Sequence, residues 1–122
     1  MVKNVKNPTL DSVVRRLSNG REHFPTQHPY LQAFGRYFSN FLPLHWKDKK
    51  TVTSFGFVSA SEIAIEDIRQ GKNRYTYEPV PPTLHNHADE LYSLWYENAA
   101  YIAAAVGGED FGARVKLFYK AR

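Results

Sequence analysis

The chain has 122 residues and a formal net charge of +4, which is long enough for one domain but marginal for two independent cores. It contains no cysteine, and this excludes a disulfide scaffold, thiolate catalysis and thiolate-bound metals. No apolar run approaches the roughly 20 residues that span a bilayer, and the N-terminal segment lacks the apolar stretch of a secretory signal, so we expect a cytoplasmic protein, or a nuclear one in a eukaryote.

The first part of the chain carries two helical patterns. Thr9 is a suitable N-cap for a helix over Leu10–Ser18, whose apolar residues form one stripe. A second helix is predicted from Pro29 to about Phe41, ending before Pro43. Aromatic residues recur at helical spacing along this second helix, and we assign them to the core.

Three segments alternate in the manner of strands, namely residues 51–59, 74–80 and 113–120. Residues 61–71 fit two structures. They match a helix that ends at Gly71, or a strand that pairs with residues 74–80 through a hairpin. We favour the helix for this segment.

The longest predicted element is a helix over residues 88–106, with Trp95 in its apolar stripe and two glycines after its end. Combined with the strands, it predicts an α+β fold, in which three or four helices pack on a small, mainly antiparallel sheet. We expect residues 1–8 to form a flexible N-terminal segment and residues 9–122 to form a single α+β domain.

Charge is unevenly distributed along the chain. Residues 1–50 carry +6, residues 51–110 carry −6 and residues 111–122 carry +4. Basic groups near aromatic rings are typical of surfaces that bind nucleic acid, although the same pairs also occur in sheet packing. The residues that we predict to contact nucleic acid are Lys47, Lys49, Lys50, Arg74, Tyr75, Tyr77, Arg114, Lys116 and Lys120. The alternation places Tyr75 and Tyr77 on one face of the strand predicted over residues 74–80, where they would form a platform for stacked bases.

Histidines near carboxylates are the chain's potential metal ligands. His85, His87 and Asp89 have ligand-type side chains at close spacing, but a helix N-terminus is the simpler explanation, because Asn86 can cap it and carboxylates stabilise the first turn. We therefore predict capping rather than metal binding, and no cofactor. His23, His28 and His45 offer acid–base chemistry only if they converge in the fold.

These observations predict a non-catalytic binding module that engages nucleic acid, or a protein–nucleic-acid complex, through basic and aromatic residues. The alternative is a phage or mobile-element accessory protein, an inhibitor that binds a host protein complex. A further alternative is a small metal-dependent hydrolase at His85 and His87. Phosphate-binding glycine loops and nucleophile elbows do not occur in the sequence.

Overall fold

The computed structural model describes residues 7–19 and 29–120, and this part of the chain is helical throughout, with short connections. Its helices, numbered here in chain order, are α1 (Leu10–Ser18), α2 (Pro29–His45), α3 (Ser54–Gln70), α4 (Pro82–His85), α5 (Ala88–Gly107) and α6 (Glu109–Lys120). The predicted N-terminal segment, residues 1–8, lies mostly outside the described residues.

The helices enclose one hydrophobic core that runs from α1 to α6 and is rich in aromatic rings. Trp95 of α5 lies at its centre, within 4.9–5.8 Å of three phenylalanine rings, measured between ring centroids. Its indole N–H donates to Ser61 Oγ and Tyr119 Oη, both at 3.0 Å. The fully buried phenylalanines are Phe34, Phe38, Phe41, Phe57 and Phe111.

The α+β prediction is wrong, because the described residues contain no sheet and only two isolated β-bridges, Thr9 with Thr51 and Lys72 with Pro79. The predicted strand over residues 51–59 is largely the start of α3. Thr53 caps this helix by accepting a hydrogen bond from the Gly56 backbone N–H at 2.9 Å. The cap satisfies an otherwise unpaired donor, so local hydrogen bonding favours the helix over the strand.

The predicted strand over residues 113–120 is also wrong, since these residues lie in α6. Val115 and Tyr119 are buried together with Phe111, at the spacing of successive helical turns, whereas Leu117 is exposed. Short apolar runs fit both periods, and packing against α5 decides in favour of the helix.

The third predicted strand, residues 74–80, is a loop that follows α3. Gly71 ends α3 in the left-handed conformation, with φ of 86°, so the helical alternative for residues 61–71 is confirmed. Tyr77 also has a positive φ, 62°, which an extended strand does not allow. The loop turns back on itself instead of pairing with a neighbouring strand.

Two predicted helices are confirmed almost to the residue. Thr9 Oγ1 accepts a hydrogen bond from the Ser12 N–H at 3.2 Å and begins α1 as expected. The helix predicted over residues 88–106 is α5, with Trp95 buried. By contrast, α2 continues past its predicted end at Phe41 and includes Pro43 in its last turns.

Candidate nucleic-acid interface

The connector between α2 and α3, residues 46–53, is anchored at both ends. Trp46 is 9% exposed and packs on the first turn of α3, where a Cβ on Gly56 would lie 3.0 Å from its ring. Farther along, Lys50 O accepts from the Leu10 N–H at 2.8 Å, and the Val52 N–H donates to Pro8 O at 2.9 Å. These bonds hold the connector against the start of α1.

Three predicted site residues, Lys47, Lys49 and Lys50, lie on this connector, and all three are exposed. None of them forms an ion pair with any residue in the described part of the chain. Asp48 is the one acid among them in the sequence. The connector therefore presents cationic groups from a backbone that is fixed by hydrogen bonds.

Arg74 has a structural contact that the sequence did not reveal. Its Nε donates to Asp67 Oδ1 at 2.7 Å, and its backbone N–H donates to Asp67 Oδ2 at 3.0 Å. The Asp67 side chain is only 5% exposed, so the guanidinium balances a buried carboxylate. Arg74 therefore has a structural role, and its side chain is still 44% exposed.

Tyr75 and Tyr77 do not share a strand face, because residues 74–80 form a loop, so the strand arrangement predicted for them is wrong. Tyr75 Oη lies 2.6 Å from Nδ1 of His45, and its ring contacts Phe41 at 5.6 Å between centroids. Tyr77 is 71% exposed, and Lys72 Nζ lies 5.3 Å from the centre of its ring. The two tyrosines are separated by the reversal of the loop.

His45 links the loop to the connector. The pKa of His45 is lowered, chiefly by partial burial and further by the positive charges of Arg74 and Lys49, whereas Asp67 acts in the opposite direction. Both cations therefore lie close enough to influence the same imidazole. The structure thus brings Tyr75 to the C-terminal end of α2, where the connector begins.

The predicted basic residues of α6 differ in their exposure and in their contacts. Arg114 is half-buried, donates to Asp110 O at 3.3 Å and donates to Asn7 Oδ1 at 3.2 Å. Lys116 is exposed on the same helix. The side chain of Lys120 lies outside the described part of the structure.

Sequence reasoning missed an exposed aromatic patch formed by Phe55 and Phe118, with the exposed Leu117 next to Phe118 in the chain. Phe55 is 66% exposed, and its ring centroid lies 5.7 Å from that of Phe118. Leu117 is 64% exposed. A strand over residues 51–59 would put Phe55 and Phe57 on the same face, whereas a helix separates them. Thr53, a good N-cap residue, is the sequence signal that indicates the helix and therefore the exposed position of Phe55.

The potential metal ligands at the start of α5 have separate partners. Nδ1 of His85 donates to Ile68 O at 2.9 Å, and the ring of His87 stacks on Tyr30 with centroids 4.5 Å apart. Asp89 accepts from Arg69 Nη1 at 2.6 Å. The described residues contain no group of three or more metal-binding side chains, and His23 and His28 lie outside them.

The cap of α5 also differs from expectation, since His87 occupies the N-cap position and forms no side-chain capping bond. Within the described ranges, no helix is long and apolar enough to cross a membrane. Comparisons with protein-family models, with curated proteins and with solved structures gave no match for this chain.

Proposed function

We propose that this protein is a non-catalytic module that binds nucleic acid with little dependence on sequence. The observation that supports this function best is the connector, where Lys47, Lys49 and Lys50 are exposed and unpaired within the described structure. Lysines on a backbone already held in place lose less conformational freedom on binding than lysines on a free tail. Phosphate contacts of this kind supply affinity but read no base identity.

The exposed ring of Phe55 favours single-stranded nucleic acid as the ligand. Phe55 lies in the first turn of α3, immediately after the connector, and is 66% exposed. Bases of a single strand can stack on such a ring while its phosphates contact the lysines, whereas paired bases in a duplex are not available for stacking. We therefore propose a preference for single-stranded over duplex nucleic acid.

The test compares the wild type with a Lys47→Gln, Lys49→Gln, Lys50→Gln variant by fluorescence anisotropy, using labelled single strands and duplexes. Each lost phosphate contact should flatten the log–log salt dependence by about 0.7 for a single strand and about 0.9 for a duplex. The triple variant should therefore lose affinity for all sequences alike, and its slope should fall by about 2 on single strands.

A matched control removes three positive charges elsewhere, in an Arg15→Gln, Arg36→Gln, Lys72→Gln variant. These residues are also exposed but lie outside the connector. If only the net charge mattered, both variants would lose the same affinity for the oligonucleotides. Equal losses of affinity would therefore contradict the proposed site. Wild-type protein that binds neither oligonucleotide at low salt would contradict the proposed function itself.

The Phe55→Ala variant tests the contribution of base stacking to binding separately from that of the lysine charges. We expect it to weaken single-strand binding by about 1–3 kcal/mol and to change duplex binding little, since stacked bases contribute about that amount each. Because Phe55 is mostly exposed, the substitution should leave folding intact, which circular dichroism checks. Equal effects on both ligands would remove the stacking role.

The exposed Leu117, which follows Lys116 and precedes Phe118 on α6, supports a second candidate, an accessory or inhibitor protein that binds a protein complex. Leu117 is 64% exposed, and an aliphatic side chain offers no ring for bases to stack on. Large exposed apolar groups are typical of protein-binding surfaces. Leu117→Ser should leave oligonucleotide affinity unchanged, and a wild type that binds no oligonucleotide would leave this second candidate ahead.

A further inference from the structure

A cavity of about 540 Å³ lies between α2 and the loop that follows α3. This volume falls within the range of about 300–1,000 Å³ that is usual for small-molecule sites. One wall is the face of α2 that carries Arg36, Tyr37 and Leu44, and the opposite wall carries Thr76, Glu78 and Val80.

The loop wall is held by its own hydrogen bonds, so the cavity is largely formed before any ligand arrives. Asn73 Oδ1 accepts from the backbone N–H groups of Tyr75 at 2.7 Å and Thr76 at 3.0 Å. The Asn73 N–H donates to Glu78 O at 2.9 Å, and the Val80 N–H donates to Gly71 O at 3.0 Å. A wall that is already ordered lowers the entropic cost of binding.

Two opposite charges line this cavity without pairing with each other. Arg36 on α2 and Glu78 on the loop are both exposed, and neither forms a side-chain ion pair in the described part of the chain. A ligand that carries one charge would form an ion pair with only one of these two residues. A ligand that carries a carboxylate and an ammonium group complements both, because Arg36 binds the carboxylate and Glu78 binds the ammonium.

Tyr37 adds a neutral donor to the lining of the cavity. Its Oη accepts from Asn73 Nδ2 at 3.2 Å, the one hydrogen bond that it makes among the described residues. Burial, followed by the nearby Asp67 carboxylate, raises the pKa of Tyr37 to about 12. The hydroxyl therefore keeps its proton at neutral pH and can donate it to a ligand oxygen.

From this geometry we propose that the cavity binds a small zwitterion with an amino-acid-type head and an apolar side chain. The ligand carboxylate pairs with Arg36, its ammonium group pairs with Glu78, and its side chain contacts Leu44 and Val80. Hydrophobic contact with these two residues complements the charged ends. This site is independent of the connector lysines and of the proposed nucleic-acid binding.

The first experiment is a calorimetric titration of the full chain with L-leucine, L-phenylalanine and the dipeptide leucyl-glycine. Two analogues of leucine each lack one charge, namely 3-methylbutylamine without the carboxylate and 4-methylpentanoate without the ammonium group. We expect binding of at least one zwitterion, with either analogue of leucine weaker by about tenfold or more than leucine itself. Failure of all three zwitterions to bind at millimolar concentration, or equal binding of the analogues, would overturn the proposal.

Substitutions then locate the site. Arg36→Gln and Glu78→Gln should each weaken zwitterion binding by about tenfold, while Arg15→Gln, an exposed cation on α1, should have no effect. Tyr37→Phe keeps the ring and removes the donor, and it should weaken binding less than either charge substitution. Binding that persists unchanged in both Arg36→Gln and Glu78→Gln would place the ligand elsewhere and refute this site.

Discussion

His45 stands where α2 ends and the connector begins, with Nδ1 2.6 Å from Tyr75 Oη. Its pKa lies below the usual 6.5 because partial burial, Arg74 and Lys49 all disfavour the charged ring. The folded protein therefore holds a proton on His45 less tightly than the unfolded chain does. One side chain thus makes the loop–connector junction sensitive to acid.

The predicted consequence is a loss of stability as the pH falls below about 6.5. Above that pH both states carry a neutral ring and this residue contributes no pH dependence, whereas below it the unfolded chain binds more protons and the free energy of unfolding declines. His45→Asn retains a polar partner for Tyr75 without titrating, so it should reduce the decline between pH 7.5 and 5. Urea unfolding at several pH values measures the difference.

If the wild type and the His45→Asn variant lose stability in parallel as the pH falls, folding does not lower the pKa of His45. His87→Asn is the control for the loss of a histidine elsewhere, because His87 lies at the start of α5 and its side chain forms no capping bond there. A change in pH dependence as large as that of His45→Asn would show that the effect does not come from the loop–connector junction.

The residue types of the candidate site were visible in the sequence, but their partners were not. Lys47, Lys49 and Lys50 remain exposed, since charged side chains in a turn-like segment seldom become buried. Arg74 joins Asp67 because α3 ends at Gly71 and the chain then reverses, which returns Arg74 to the last turns of α3. Charge patterns therefore located the connector but not the ion pair.

At the scale of elements, strong local signals predicted α1 and α5 correctly. Thr9 and a glycine pair define ends that need no tertiary information, and α5 has an apolar stripe long enough to exclude a strand. The errors fell on short segments: residues 51–59 and 113–120 have both alternating and helical patterns and are mostly helical, and residues 74–80 form a loop. Their neighbours decided the outcome, because α6 buries Phe111 and Val115 against α5 and α3.

The packing of α6 on α5 depends on a glycine, and this gives a prediction for the element. A Cβ at Gly112 would lie 2.5 Å from Ala104 Cβ and 2.8 Å from the carbonyl oxygen of Ala100. Since backbone atoms of α5 cannot give way easily, Gly112→Ala should destabilise the protein by about 1–3 kcal/mol. This steric cost should exceed the stabilisation of about 1 kcal/mol that alanine provides over glycine through helix propensity.

Chemical denaturation of Gly112→Ala beside Ala113→Gly tests the contact. Ala113 is exposed on the same helix, so its replacement should cost only about 1 kcal/mol through propensity. A Gly112→Ala protein more stable than wild type would show that α5 and α6 do not approach this closely.

At the scale of the whole molecule, the aromatic core joins helices that are distant in sequence. Phe34 and Phe38 of α2 contact Trp95 of α5 edge-on, at 4.9 and 5.8 Å between centroids, and Phe57 of α3 lies 5.8 Å from the same ring. The Trp95 N–H also reaches Tyr119 of α6. Four helices therefore share one contact centre, and we expect them to unfold together in a single transition.

Trp95→Ala tests this centre directly. Removing the ring should lower the free energy of unfolding by about 3–5 kcal/mol, as is usual for a large aromatic lost from a core. Trp95→Phe should cost less, about 1–3 kcal/mol, because it retains most of the ring but leaves the Ser61 and Tyr119 hydroxyls without their N–H donor. Urea unfolding followed by the helical circular dichroism signal measures both.

Tyr101→Ala is the control for this series, because Tyr101 lies on the same helix and is 65% exposed. Its loss should stay within about 0.5 kcal/mol. Equal stability of Trp95→Ala and wild type would place Trp95 outside the core. Two separate transitions in the wild type, with only one of them sensitive to Trp95→Ala, would instead show that the helices do not unfold as one unit, because a shared centre must weaken all four helices at once.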